Sequence, residues 1–179
     1  MRKVLKSSHY AKKLWKNGLG TTQEIIAWPE GSGDQFTWRI SLADLRDSGA
    51  FSLYPEMDRI LVVLEGKEIG LSYSGKKLTL PLLTPYSFDG AVEMHADVKA
   101  IGRDFNLMLR KNKARGKVTV HSGRTTLTVT TRSLGIFSTD RFTVDGESMD
   151  GNDFLLLSEE NETAVTIVGN GRYLIIEID

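Results

Sequence analysis

Side chains that could meet a small anion fall in three segments: Trp15-Lys16-Asn17-Gly18-Leu19-Gly20-Thr21-Thr22-Gln23-Glu24, Trp38-Arg39-Ile40-Ser41 with Asp58-Arg59 further on, and Arg103-Asp104-Phe105-Asn106. In the first, Gly18 and Gly20 free the backbone for close approach and would expose amides to an anion. A plain loop leading into a strand explains them equally well, and no Gly-Lys-Ser/Thr follows to make a phosphate loop. In the other two, strand alternation decides which residues share a face. Arg39 and Ser41 lie opposite Trp38 and Ile40. Arg59 is in phase with Leu61 and Val63, and Asp104 and Asn106 are in phase with Met108, opposite Phe105 and Leu107. A charge in phase with buried apolar neighbours costs on the order of several kcal/mol unless it is paired. One account pairs Arg39 or Arg59 internally with Glu24, Asp58 or Asp104. The other leaves a guanidinium facing a cavity, where its planar fork grips a carboxylate through two hydrogen bonds. Both can hold together.

Other chemistries find less support. The histidines, His9, His95 and His121, lie far apart with no His-x-His, whereas a catalytic metal in a barrel takes two or three histidines plus a carboxylate. There is no cysteine, so thiolate metal sites and disulfides are excluded, and no Gly-x-Ser-x-Gly elbow marks a nucleophile. Glu159-Glu160 sits at a turn and is expected to face solvent. Neither a metal nor another cofactor is expected.

The elements that must position these residues are strands. Residues 22–28 and 36–43 read as strands, the second alternating Phe36, Trp38, Ile40 and Leu42 against Thr37, Arg39, Ser41 and Ala43. Ile60 to Leu64 is apolar throughout, as in a strand covered on both faces. Further strands are expected at 67–73, 76–80, 117–121, 125–131, 135–138, 142–144, 154–157, 164–168 and 173–178. Turn residues such as Ser74-Gly75, Ser122-Gly123, Asp145-Gly146, Glu160-Asn161-Glu162 and Gly169-Asn170-Gly171 separate them. Only 8–15 and 42–47 look helical. The basic break at 111–116 reads as a seam between a larger barrel at 1–110 and a smaller one at 117–179; a solvated loop inside one sandwich is the alternative.

With 179 residues the chain can bury roughly 70% of its extended surface without staples. Lys plus Arg and Asp plus Glu both total 23, so nothing draws the protein to nucleic acid or an anionic membrane. The basic start is not followed by an apolar run, and no stretch approaches the ~18 apolar residues of a spanning helix. A cytoplasmic location is expected.

Taken in order, these segments resemble the HutD/Ves family. The matching stretches are Trp15-Lys16-Asn17-Gly18 with Thr22 and Glu24, Phe36 to Ala43, Gly49-Ala50-Phe51-Ser52, Asp58-Arg59 with Leu64-Glu65-Gly66, Phe88-Asp89-Gly90, and Asp104 to Met108. The resemblance covers residues 9 to about 122 well and the tail in texture only. It implies an all-β bicupin, two packed jelly-roll β barrels in one chain, without the cupin metal ligands. Its pocket would accept a small acid, formylglutamate being the ligand suggested for histidine breakdown. Carried over, this places Asn17, Thr22, Glu24, Arg39, Arg59 and Asn106 at the pocket. The expected role is a binding or regulatory one in amino-acid catabolism. A metal-independent isomerase or hydrolase using Glu24 or Asp104 as base is the alternative, and a structural or stress-related protein the second. The partners expected are a small acidic metabolite and, as an open case, a second copy in a homodimer.

Overall fold

The computed structural model describes residues 1–14, 21–158 and 164–179. The strands run in chain order as β1 (Arg2–Leu5), β2 (Ala11–Leu14), β3 (Thr21–Trp28), β4 (Trp38–Leu45), β5 (Gly49–Ala50), β6 (Met57–Glu65), β7 (Ile69–Tyr73), β8 (Lys76–Leu80), β9 (Tyr86–Asp89), β10 (His95–Asp97) and β11 (Gly102–Arg110). They continue with β12 (Gly116–Ser122), β13 (Thr125–Thr128), β14 (Ser133–Ser138), β15 (Phe142–Val144), β16 (Glu147–Met149), β17 (Phe154–Ser158), β18 (Ala164–Val168) and β19 (Arg172–Ile178). Among the described residues no α-helix occurs, only 3-10 turns at Ser7–His9 and Gly33–Gln35. No helix among them is long and apolar enough to cross a membrane.

The chain forms two compact units: an N-unit, Ala11–Ala114, and a C-unit, Met1–Tyr10 with Arg115–Asp179. Each is a jelly roll of two antiparallel sheets rather than one closed barrel. In the N-unit a six-stranded sheet, β2-β3-β4-β11-β6-β9, is accompanied by a four-stranded one, β5-β10-β7-β8. Its core lies between them, with Leu61 and Val63 of β6 packed among Ile69 and Leu71 of β7, Leu80 of β8 and Ala96 of β10. In the C-unit the sheets are β1-β17-β14-β19-β12 and β13-β18-β15-β16. There Ile136, Leu155 and Ile175 from the first sheet meet Val144, Val165 and Ile167 from the second.

Three expectations need correction. Residues 1–10 do not belong with the N-terminal barrel, because β1 pairs along its length with β17, Arg2 opposite Leu157 and Leu5 opposite Phe154. Of the stretch 8–15, the described residues 8–14 form no α-helix: after the 3-10 turn at Ser7–His9, β2 hydrogen-bonds to β3 with Ala11 opposite Glu24. Nor does 42–47 form a helix, since β4 has strands on both sides and its pairing with β11 runs to Leu45 opposite Gly102. Continuous ladder partners outweigh the weak local preference of a short polar stretch. The turn chemistry is as expected at Ser74-Gly75 and Asp145-Gly146. All four residues have positive φ, which closes two-residue hairpins with the right-handed twist of their strands.

Candidate ligand-binding site

The six-stranded sheet of the N-unit has an apolar face and a mixed one. Ile40, Leu42, Val62, Phe105 and Leu107 occupy the first and are buried. On the second, register assembles cross-strand rows. One row runs Phe88, Arg59, Met108, Arg39, Ala27. The next runs Tyr86, Leu61, Asn106, Ser41, Glu24, and a third runs Val63, Asp104, Ala43, Thr22. Thr22, Glu24, Arg39, Arg59 and Asn106 therefore share one face of one sheet, and Asp104 joins them. Asn17 lies outside the described residues. The phases expected for β4, β6 and β11 match this face, and Leu61 and Val63 show that it is turned to the core of the unit.

Arg59 is 4% exposed and lies at the centre. Its guanidinium carbon is 5.0 Å from the Phe88 ring centroid, 5.3 Å from Phe51 and 5.7 Å from Tyr54. Three aromatic faces around a cation compensate part of its lost hydration, at ~2 kcal/mol for a desolvated contact. Nη1 donates to the Ser52 carbonyl at 3.1 Å, while Nε has no hydrogen-bond partner. Burial lowers the Arg59 pKa to about 10, with the like charge of Arg39 acting in the same direction and Asp104 and Tyr54 opposing. The group thus remains a cation at neutral pH.

Around it stand other groups with unused hydrogen-bonding capacity. Arg39, half-buried, sends Nη2 to the Met108 sulfur at 3.1 Å and rests over the rings of Phe36 and Tyr54, yet its Nε has no partner. A thioether is a weak acceptor, so this guanidinium is underused. Asn106, 5% exposed, leaves Oδ1 without a partner, and Asp104, 1% exposed, leaves Oδ1 likewise. Burial pushes the Asp104 carboxyl up to about 7, opposed by the charge of Arg59 and a hydrogen bond from the Ala43 N–H. Buried polar groups are nearly always satisfied, so four such atoms on one sheet face mark this place as unusual.

Glu24 is set apart. Its carboxylate pairs with Lys13 across the β2–β3 ladder at 3.2 Å, not with Arg39 or Arg59. Asp58, the other acid expected to pair with an arginine, stands opposite Asp89 on the other phase of β6. Thr22 is half-buried between Lys13 and Ala43 in register.

The aromatic cage was not foreseen as part of the site. Phe51 and Tyr54 sit on the segment between β5 and β6, where no periodicity signals orientation. The nearest clue is glycine at position 90. Tyr54 N donates to the Gly90 carbonyl and Gly90 N to the Met57 carbonyl, both at 2.8 Å. A Cβ at this position would meet the carbonyl oxygens of Tyr54 and Met57, so only glycine lets the cage segment approach so closely.

The donor set does not suit a divalent cation, because the one buried carboxylate of these rows, Asp104, shares its sheet face with two guanidinium groups, Arg39 and Arg59. Among the described residues no three His, Cys, Asp or Glu side chains come together as a metal site. His9 and His95 are exposed, and His121 stacks on Tyr173 with its Nε2 2.9 Å from Thr119 Oγ1.

Two antiparallel jelly rolls in one chain, the first with an arginine-centred polar interior, define a bicupin. The HutD family model matches residues 7–175, and the chain belongs to that family. Protein Ves of Escherichia fergusonii is 37% identical over 127 residues, which is 69% of this chain and 65% of the Ves protein. The structure of HutD from Pseudomonas fluorescens superposes with a TM-score of 0.91 at 27% identity, covering 99% of this chain and 98% of that one. A cupin 2 conserved barrel domain protein from Leptotrichia buccalis matches at 10% identity with a TM-score of 0.60, over 99% of this chain and 96% of that one, which shows the shared fold.

Proposed function

We propose that this HutD-family bicupin is a metal-free binding protein for a small carboxylated metabolite of the formylglutamate kind, serving a regulatory role in amino-acid catabolism such as histidine breakdown. The observation that carries the reading is Arg59: a buried cation, caged by aromatic rings, with an unused Nε on the same sheet face as the unused Oδ1 of Asn106. A carboxylate is the ligand group that a guanidinium fork fits best, and Asn106 with Arg39 would orient the rest of the molecule. Membership of the HutD family supports the choice of acid.

A thermal-shift series with formylglutamate, glutamate and urocanate tests it. At least one acid should raise the melting temperature, since a ligand bound by the native state alone stabilises it by mass action. Arg59→Met should abolish the shift while the chain still folds. No shift from any acid at roughly millimolar concentration would overturn the reading. If Arg59→Met unfolds the chain, the arginine belongs to an internal structural network.

A second reading has one observation in its favour. A carboxyl pushed up to about 7 is suited to exchange protons near neutrality, so Asp104 fits a general acid or base in a metal-independent isomerase or hydrolase. Turnover of a bound acid, lost in Asp104→Asn with binding retained, would favour it.

A further inference from the structure

We propose that Asp104 serves the N-unit site as an internal counter-ion of Arg59, which an arriving carboxylate displaces, so that the acid is held together with a proton taken up by Asp104. This rests on the preceding reading that Arg59 receives a carboxylate.

The geometry is that of two buried, oppositely charged groups neither of which is fully satisfied. Arg59 and Asp104 project from adjacent strands, β6 and β11, on the same face and two rows apart, with the Leu61–Asn106 row between them, 4% and 1% exposed. The Asp104 carboxyl accepts the Ala43 N–H, yet Oδ1 has no partner; Arg59 donates Nη1 to Ser52, yet Nε has none. Their attraction is therefore mainly through space. A second carboxylate brought to Arg59 takes up the guanidinium hydrogen bonds and adds a like charge on the same buried face as Asp104. Two carboxylates sharing one buried site do not both stay ionised without cost. The proton goes to Asp104, whose Oδ1 has no donor of its own and can present it to the ligand as an O–H.

The other charged groups nearby do not take over this role. Arg39 on β4 bears on Arg59 rather than on Asp104. Asp44, next along β4, raises the Asp104 pKa and is itself engaged by Thr21 Oγ1 at 2.7 Å and Arg46 at 3.7 Å. Glu24 on β3 is matched by Lys13 on β2. Arg103, on the opposite phase of β11, lies 3.9 Å from Glu65 of β6. Tyr54, on the segment before β6, acts on Arg59. Tyr86 on β9, hydrogen-bonded to Tyr73 of β7, is pushed up to about 12 and stays neutral. The starting value of the Asp104 carboxyl, about 7, puts the exchange within the physiological range.

The sign follows. An anion at Arg59 raises the Asp104 pKa, so binding is strongest below about pH 7 and weakens above it, with a proton taken up per ligand bound. Calorimetric titration of the full chain with formylglutamate and with glutamate, at about pH 6 and about pH 8.5 in buffers of different ionisation enthalpy, reads both quantities. Affinity should fall by up to roughly tenfold per pH unit above 7, with net uptake approaching one proton. Asp104→Asn should retain the affinity seen at the lower pH and lose both the fall and the uptake. Equal affinity at both pH values with no buffer-dependent heat, or an undiminished slope in Asp104→Asn, overturns this inference and leaves the carboxylate site standing. Failure of both acids to bind at either pH overturns the two together. The proton count needs only wild-type protein, so an Asn variant that does not fold leaves the test decisive.

Discussion

Asp104 in the N-unit and Asp153 in the C-unit are both about as buried as a carboxylate can be, at 1% and 2% exposure, yet their surroundings push them in opposite directions. Asp153 accepts from Lys6 Nζ at 2.8 Å, from the Ser7 N–H at 3.0 Å and from the Asp150 N–H at 2.9 Å. Burial raises its pKa, and these hydrogen bonds more than offset that, leaving it below the ordinary value. Asp104 is pushed up because burial outweighs its partners. The units differ in the same way as wholes. The other buried polar side chain among the described residues of the C-unit, Ser138, donates to the Asp140 carbonyl at 2.6 Å. The N-unit instead collects unpartnered atoms of Arg39, Arg59, Asp104 and Asn106 on one face. A jelly roll that only has to hold together closes its buried polar groups with its own chain. One that keeps hydrogen-bonding capacity inside has it available for something else.

The largest effect expected from breaking this contrast is in the C-unit. Asp153→Ala removes the acceptor of two backbone N–H groups and a lysine that tie the first residues to the loop before β17. It should cost about 3 kcal/mol in denaturant unfolding and leave carboxylate binding unchanged. A loss under ~0.5 kcal/mol would make the clasp ornamental and remove the contrast.

Next in size is a pH effect. Because the folded Asp104 pKa is raised, its favourable contribution is full below the unfolded value near 3.8 and is lost as pH rises through about 7. Asp153 runs the other way: its contribution is present above the unfolded value and lost on acidification. Between pH ~5.5 and ~7 only the Asp104 contribution changes, and unfolding free energy should fall by ~2 kcal/mol in wild type. Asp104→Asn should flatten that fall. A wild-type stability that rises over this range would mean that Asp104 is ionised in the native state well below neutrality.

Much of this was legible in the sequence where strands are long and their residues bulky. Along β4, β6 and β11 the alternation of Trp38, Ile40, Phe105 and Leu107 against Arg39, Arg59, Asp104 and Asn106 fixes the phase, and register then brings the polar set to one face. Short strands gave no such purchase. β1 reads Arg-Lys-Val-Leu and β10 His-Ala-Asp, too brief for a period to emerge, and β1 pairs with the distant β17, Arg2 opposite Leu157 and Leu5 opposite Phe154. Taking 8–15 as helical hid the partner of Glu24, since Lys13 reaches it only across a strand ladder. The β3 irregularity between Glu24 and Ile26 also shifts the phase, so Thr22 and Glu24 share a face with Ala27, not with Ile26. The cage rings on the β5–β6 segment depend on a tertiary approach at Gly90 that no local pattern encodes.

The smallest expected effect sharpens where the polar interior ends. Glu24 sits in the same row as Asn106, but its side chain is 25% exposed and its partner Lys13 is 63% exposed. Ion pairs this open to water contribute roughly 0–1 kcal/mol, and solvent screens whatever charge Glu24 would offer a ligand. Glu24→Gln should therefore change unfolding free energy by less than ~1 kcal/mol and carboxylate affinity by no more than about threefold. It should also leave the pH dependence assigned to Asp104 untouched, because the amide keeps the shape and removes only the charge. A loss of affinity above about tenfold would place Glu24 inside the working cluster with Arg59. The unsatisfied interior of the N-unit would then reach β3 instead of ending short of it.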